Sequence, residues 1–467
     1  MASFTLIIHV IVIVMTTFPI CESNDPPLPD IDLHEWWGPE WLKYRQDDSI
    51  RPFRVNFNES MITDLKYRLH YHRPFPPPLE GVAFEYGFNS DQLERWLTYW
   101  AEEYPFLKRQ EFLNQFPQYK TNIQGLDIHF IRVREKDTAK REVVPLLLLH
   151  GWPGSVREFY ETIPYLLGGS RNRDYALEII VPSLPGFGFS DAAVRPGLGV
   201  DKAAVVFRNL MHRLGHRKYY IQGGDMGAFI TLNMATFFPT EIMGYHMNVV
   251  FTHTVKTLLL IALGSLYPPA VARPEVLDRI YPLSSHLFGL MEETGYLHIQ
   301  ATKPDTVGVG VSDSPAGLAA YVLEKFSTGT RREYRSYPDG GLTSFFTADQ
   351  LIDNLMIYWT SNCMTTAMRL YAETFNKRYF GLRINEITSP VPTWVIQARN
   401  EIFYLPPWMI RMKFPNLLNE TVLPDGGHFL AFEKPRVFAL DVLNAIDAFR
   451  HWHGIQRHTR RKTRAAN

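Results

Sequence analysis

The ten residues Tyr219 to Ala228, YYIQGGDMGA, constrain the fold more than any other stretch. Lys218 to Gln222 has the composition of a strand, and Ala228 to Phe238 has that of a helix. Only a sharp turn separates them, with Asp225 at its apex in the frame Gly-x-Asp-x-Gly. Such a turn forces its apex residue into strained backbone geometry. A side chain two positions to either side would collide with the crossing strand and helix, so glycine is needed there. A carboxylate raised at that apex can attack carbon and form an ester. The same residues also read as a Gly-rich turn with Asp225 as a helix N-cap.

The flanking chain alternates strand and helix. Ile128 to Val133 alternates apolar and polar residues, as a strand does. Val143 to Leu149 and Leu177 to Val181 are nearly continuous apolar runs, the pattern of strands covered on both faces. Ser155 to Leu167 and Lys202 to Leu214 carry helical patterns, and Gly244 to Val250 reads as one more strand. Over 251–389 the alternation stops and the chain is helical and irregular. It resumes with strands at Pro392 to Gln397 and Glu420 to Leu423 and ends in a helix from Arg436 to Trp452. The expected fold is α/β, a doubly wound sheet with a helical cap inserted over the carboxyl ends of its strands, where ligands bind in such sheets. The divisions are 1–23, an apolar N-terminal segment; 24–120, a helical and extended arm broken at Pro74 to Pro78; 121–250 and 390–456, the two parts of the sheet domain; 251–389, the cap; and 457–467, a basic tail. Within the cap, Thr257 to Leu266 (TLLLIALGSL) reads either as a core helix or as a lip that dips into a membrane.

The 48 basic and 48 acidic residues balance, so no domain-wide field draws nucleic acid. Two cysteines, Cys21 and Cys363, support neither a disulfide framework nor a cysteine metal site. Phe4 to Ile20 is apolar and just long enough to span a bilayer. It lacks the basic residues that precede the core of a cleaved signal peptide, which favours a membrane anchor. Two Asn-x-Ser/Thr sequons, at Asn58 and Asn419, matter only on a luminal domain.

If Asp225 is a nucleophile, a base belongs late in the chain and an acid must orient it. His428 follows the last strand behind Gly426 and Gly427, and Glu401 follows the strand before that. The other place for the acid, after the strand that follows the elbow helix, holds Asn248. His150 to Ser155 (HGWPGS) follows a buried strand. From there the backbone N–H of Trp152 would converge with that of Met226 on an ester oxygen as it turns tetrahedral. An Asp nucleophile can displace halide or open an epoxide, and the epoxide oxygen needs a proton donor. Tyrosines facing an apolar cap suit that role, and Tyr296 and Tyr371 both lie in cap segments, two of 23 tyrosines in the chain.

Taken together, HGWPGS at 150–155, PGFGFS at 185–190, GGDMG at 223–227, GYLHIQATKPDTVG at 295–308 and GGHF at 426–429 resemble the microsomal epoxide hydrolases of the α/β-hydrolase superfamily. The insect branch, the juvenile hormone epoxide hydrolases, is the most similar subgroup. The resemblance covers nearly the whole chain, from the apolar N-terminus and the Trp36-Trp37-Gly38-Pro39 after it. It implies an α/β-hydrolase fold with Asp225 as nucleophile, His428 as base and Glu401 as the acid that orients it. Tyr296 and Tyr371 become the proton donors to the epoxide oxygen. It implies a lipophilic epoxide substrate, no metal or cofactor, and a tether to the endoplasmic reticulum with the catalytic domain in the cytosol. One departure is Met226, where the family usually carries Trp. The backbone N–H survives this change, but the ring's volume does not, and Met is flexible.

Two other readings compete. A haloalkane dehalogenase would need halide donors, of which the Trp replaced by Met226 is typically one. A silent carrier of lipophilic ligands would not need Asp225, Glu401 and His428 together. Incubation with an aryl epoxide separates them: diol is expected, whereas a dehalogenase gives nothing and a carrier returns bound, unreacted epoxide.

Overall fold

The computed structural model describes residues 25–135 and 141–466, with side chains as far as residue 456. The anchor expected at 1–23 therefore lies outside the described residues. Among those described, no helix is long and apolar enough to cross a membrane.

Nine strands form one sheet: β1 Arg51–Phe53, β2 Gln118–Ile123, β3 Leu126–Arg134, β4 Glu142–Leu149, β5 Tyr175–Pro182, β6 Tyr219–Gly223, β7 Ile242–Met247, β8 Thr393–Gln397 and β9 Leu417–Val422. Their order is β1-β2-β3-β5-β4-β6-β7-β8-β9. β1, β2 and β3 pair antiparallel, as do β3 and β5, and every later pairing is parallel. β5 is buried along its whole length, as a strand covered on both faces must be. On one helical layer Val200–Arg213 packs against Asp225–Phe237. Elsewhere Thr162–Ser170 packs against the C-terminal helix Pro435–Ala466, which also contacts β7. There a Cβ on Gly244 would overlap the Phe449 ring, so glycine lets the helix lie close on the strand.

Register decides where the loops meet. Leu149 of β4 pairs with Gly223 of β6, and Gly223 pairs with Met247 of β7. The residues that follow, His150 to Trp152, Gly224 to Asp225 and Asn248, thus leave the sheet at one edge. The cap enters after β7 and returns before β8. Among the described residues, 251–389 contain no strand.

Several boundaries differ from expectation. The arm is not only helical and extended, for it supplies β1 and β2 to the sheet, and a division at residue 120 cuts through β2. β1 has three residues and β2 is rich in polar side chains, so neither carries the apolar run that marks an inner strand. The stretch Ser155 to Leu167 is two elements, a 3₁₀ turn Val156–Phe159 and a helix that starts at Thr162. Pro164 lacks an N–H and fits only the first turn of a helix, which places the start there. The strand expected to reach Val250 ends at Met247, and Asn248 turns to accept a 2.8 Å hydrogen bond from the Gln222 side chain. The last helix runs past Trp452 to Ala466. The apolar cap helix Val255–Gly264 is half core and half surface: Thr257, Ile261 and Gly264 are buried, Leu258 and Leu259 exposed.

Arm, sheet domain and cap are joined at one buried carboxylate. Asp353, on the cap helix Ala348–Ser361, accepts hydrogen bonds from Tyr104 (2.9 Å) and Arg109 (2.8 Å) of the arm and from Arg157 (2.8 Å) of the sheet domain. Arg157 is itself buried and forks onto Glu161 at 2.7 and 2.9 Å. Removing the shared acid takes a partner from the buried Arg157 and from the half-buried Arg109. Asp353→Ala is expected to lower unfolding free energy by about 3–5 kcal/mol, measured by chemical denaturation.

Candidate active site

The elbow forms as its glycines require. Asp225 has φ +46°, in the left-handed region that a side chain rarely enters, and it begins the helix Asp225–Phe237. A Cβ on Gly227 would overlap the Leu149 carbonyl of β4, and one on Gly151 would overlap the Asp225 carboxylate itself. Glycine at 151 and 227 is thus the condition for the β4 loop and the elbow to touch.

That contact delivers a donor. The Trp152 N–H points at Asp225 Oδ1 at 2.8 Å. Met226 is buried in the first turn of the elbow helix, where a backbone N–H has no acceptor within the helix. The HGWPGS turn is held from the cap: Asn354 donates to the Pro153 carbonyl at 2.7 Å and Tyr358 to the Gly154 carbonyl at 2.8 Å.

His428 faces Asp225, with Nε2 3.3 Å from Oδ2. Its Nδ1 lies 2.9 and 3.1 Å from the two oxygens of Glu401. Glu401 is buried, and one of its oxygens also accepts the Ile402 N–H at 2.8 Å. Burial opposes a charge on His428, but the Glu401 and Asp225 carboxylates outweigh it and hold the imidazole well above its usual range. Asn248 bonds to Gln222 and takes no part in orienting His428.

The two cap tyrosines meet over this group. Tyr296, on Gly295–Thr302, stacks on the Trp152 indole with ring centres 5.1 Å apart. Tyr371, on Met364–Thr374, stands edge-on to Trp152 at 6.0 Å and to Tyr296 at 6.2 Å. Burial first, and the Asp225 charge second, push both phenols well above their usual range, so both keep their protons. A cavity of about 260 Å³ opens beside them, walled by Trp152, Tyr296, Glu401, His428 and Phe429. All seven expected residues, Asp225, His428, Glu401, Tyr296, Tyr371, Trp152 and Met226, therefore gather at the carboxyl edge of the sheet. Among the described residues, no group of three His, Cys, Asp or Glu side chains is placed to hold a metal ion.

Sequence reasoning missed three groups. Lys325 lies 4.6 Å above the Tyr296 ring. Glu433 accepts the N–H groups of Gly427 (2.7 Å) and Phe429 (2.9 Å), gripping the backbone on either side of His428. Glu158 has its carboxyl beside the elbow, and burial pushes both Glu158 and Glu433 up to about 8. Glu433 had a sequence signal, a carboxylate five residues after His428 where a short helix turns back. Lys325 is brought in by tertiary packing alone, whereas Glu158 sits on the turn that follows HGWPGS and meets Asp225 only when the β4 loop and the elbow come together.

Comparison with known proteins agrees with the geometry. The family described as "Epoxide hydrolase N terminus" matches residues 50–159, and "alpha/beta hydrolase fold" matches 144–264. The chain is 59% identical to the juvenile hormone epoxide hydrolase of Bombyx mori over 428 residues, covering 92% of this chain and 93% of that one. It is 42% identical to epoxide hydrolase 1 of Oryctolagus cuniculus, covering 88% and 92%. The crystal structure of the Bombyx mori enzyme superimposes with a TM-score of 0.89 over 91% of this chain and 100% of that one, again at 59% identity.

Glu401 is the test of the electrostatics. Glu401→Gln removes an anion that stabilises the imidazolium, so the His428 titration is expected to move to lower pH. The ring-proton resonance of His428 followed by NMR against pH reads that shift.

Proposed function

The chain belongs to the epoxide hydrolase family, and we propose that it opens lipophilic epoxides to vicinal diols through an ester on Asp225. The observation that carries this reading is one carboxylate shared between a backbone donor and a histidine, beneath two protonated tyrosines. The substrate proposed is a juvenile-hormone-type epoxide, since the Bombyx mori relative at 59% identity is named for that hormone.

The epoxide enters through the cavity, past its wall at Trp152 and His428, and sets its oxygen toward Tyr296 and Tyr371. Asp225 attacks a ring carbon from the opposite side. The C–O bond breaks, and the oxygen takes a proton from a tyrosine. Asp225 loses its charge in that step. Its contribution to the high tyrosine pKa then disappears, so the phenols become better acids as the alkoxide forms. The same loss removes one of the two anions that stabilise the His428 imidazolium. The imidazolium proton can then restore the tyrosine, which leaves His428 neutral and able to take a proton from water. Water adds to the ester carbonyl. The N–H groups of Trp152 and Met226 are proposed to receive the oxyanion. The buried Met226 leaves that backbone donor in place.

The dehalogenase reading is disfavoured because Met226 offers no indole N–H to a halide. We also propose that Phe4 to Ile20 tethers the chain to the endoplasmic reticulum membrane with the catalytic domain cytosolic.

Asp225→Ala is expected to abolish turnover of a lipophilic epoxide. His428→Ala is expected to give one equivalent of enzyme ester and then stall, read by mass spectrometry of the quenched protein. A His428→Ala protein that forms no ester, with a substrate the wild type consumes, would overturn the covalent scheme. Deleting residues 1–23 is expected to lower membrane retention, measured by fractionation.

A further inference from the structure

We propose that Glu158 positions the hydrolytic water, in a small chamber behind Asp225 that is separate from the epoxide's cavity. This rests on the ester mechanism proposed above.

Two cavities meet at Trp152, His428 and Phe429, which line both. The larger reaches Tyr296 and Glu401 but not Asp225. The smaller, of about 10 Å³, is lined by Gly151, Glu158, Gly224, Asp225, Asn248 and His428. That volume holds a single water, and a water needs two to four polar partners. Asp225 and His428 supply the reacting groups. Asn248 is at the wall, but its carbonyl oxygen already accepts from Gln222. Glu158 adds a further side-chain acceptor to this wall.

The local chain places Glu158 for this. It lies on the 3₁₀ turn that follows HGWPGS, and its carboxyl fills the space that a side chain at Gly154 would occupy. The Gly151 backbone N–H bonds to it. Burial, Asp225 and Glu433 raise its pKa to about 8, against the pull of His428 and of the Gly151 N–H. At neutral pH it is thus an uncharged acid that accepts a hydrogen bond through its carbonyl oxygen without adding a third anion beside Asp225 and Glu401.

The step balances. One hydrogen of the water is held by Glu158, and the other passes as a proton to His428 Nε2 while the oxygen adds to the Asp225 ester carbon. The tetrahedral centre collapses, the ester C–O bond to the diol oxygen breaks, and that oxygen takes the proton from His428. Asp225, left as the acid, then returns its proton to His428 and regains the charged state of the free enzyme. Glu158 ends as it began. Epoxide and water thus approach Asp225 from different chambers, so water need not displace the bound product alcohol to reach the ester.

Single-turnover kinetics test this, with ester formation and ester decay followed separately by rapid quench and mass spectrometry. Glu158→Ala is expected to form ester within about twofold of the wild-type rate and to hydrolyse it roughly tenfold or more slowly, so that ester accumulates. Glu158→Gln keeps a carbonyl acceptor in the same volume and is expected to restore most of the hydrolytic rate. A merely structural role would not separate the two half-reactions or be rescued in this way. If Glu158→Ala does not fold, Glu158→Leu fills the space without an acceptor and is read the same way. Ester decay at the wild-type rate in a folded Ala or Leu variant, or a Gln variant as slow as Ala, overturns the proposal. Absence of ester in His428→Ala overturns the covalent mechanism instead.

Discussion

A carboxylate held in left-handed backbone is the constraint on which the rest of this structure depends. A non-glycine residue in that region costs on the order of 1–2 kcal/mol, and Asp225 occupies it at φ +46°. The conformation persists because its surroundings over-determine it. Gly227 lets the elbow helix approach β4, Gly151 makes room for the carboxylate, and the Trp152 N–H bonds to it. Parallel pairing of β4, β6 and β7 brings the three loops to one edge. The sheet is therefore what aims the Asp225 carboxylate, and the turn is where that aim is expressed.

Around this point the protein concentrates carboxyl groups that would repel one another if all were charged. Asp225 and Glu401 share the His428 imidazole, which stands between them and stays protonated more readily than a free histidine. Glu158 and Glu433 lie just outside, and burial drives both toward the neutral acid. The site thus keeps two anions where a cation separates them and neutralises two more by desolvation. In the proposed mechanism, esterification of Asp225 removes a charge from the centre of this arrangement. In that step the two phenols and the His428 imidazolium would each become better proton donors, as the proposed mechanism needs.

The cap shapes this site and also holds it. It supplies Tyr296 and Tyr371, whose rings pack on Trp152. The cap helix Ala348–Ser361 grips the carbonyls of Pro153 and Gly154. The His428 N–H donates to the Gly329 carbonyl of the cap at 2.8 Å. The HGWPGS turn and His428 are therefore both hydrogen-bonded to the cap, so its position and the geometry of the site are one mechanical unit. Asp353 extends that unit into the arm.

The elbow, the inner strands and the late histidine were legible in the chain because each is a local pattern. A glycine frame, a continuous apolar run and a His behind the last strand need no partner to be recognised. The matches to known relatives agree with the family resemblance carried by those motifs. β1 and β2 were not legible, because β1 is a three-residue edge strand and β2 beside it is rich in polar side chains, so neither shows an apolar run. Nor were Lys325, carried to Tyr296 by packing between cap elements, and Glu158, whose local turn meets Asp225 only once the β4 loop and the elbow come together. Sequence by itself determined which residues could be nucleophile, base and acid, since chain order and strand ends dictate those places. Only the tertiary structure decided the protonation of His428 and of the two tyrosines, and brought Glu158 beside them. A pKa is set by burial and by neighbours within a few ångströms, and neither exists until the sheet and the cap have closed on one another.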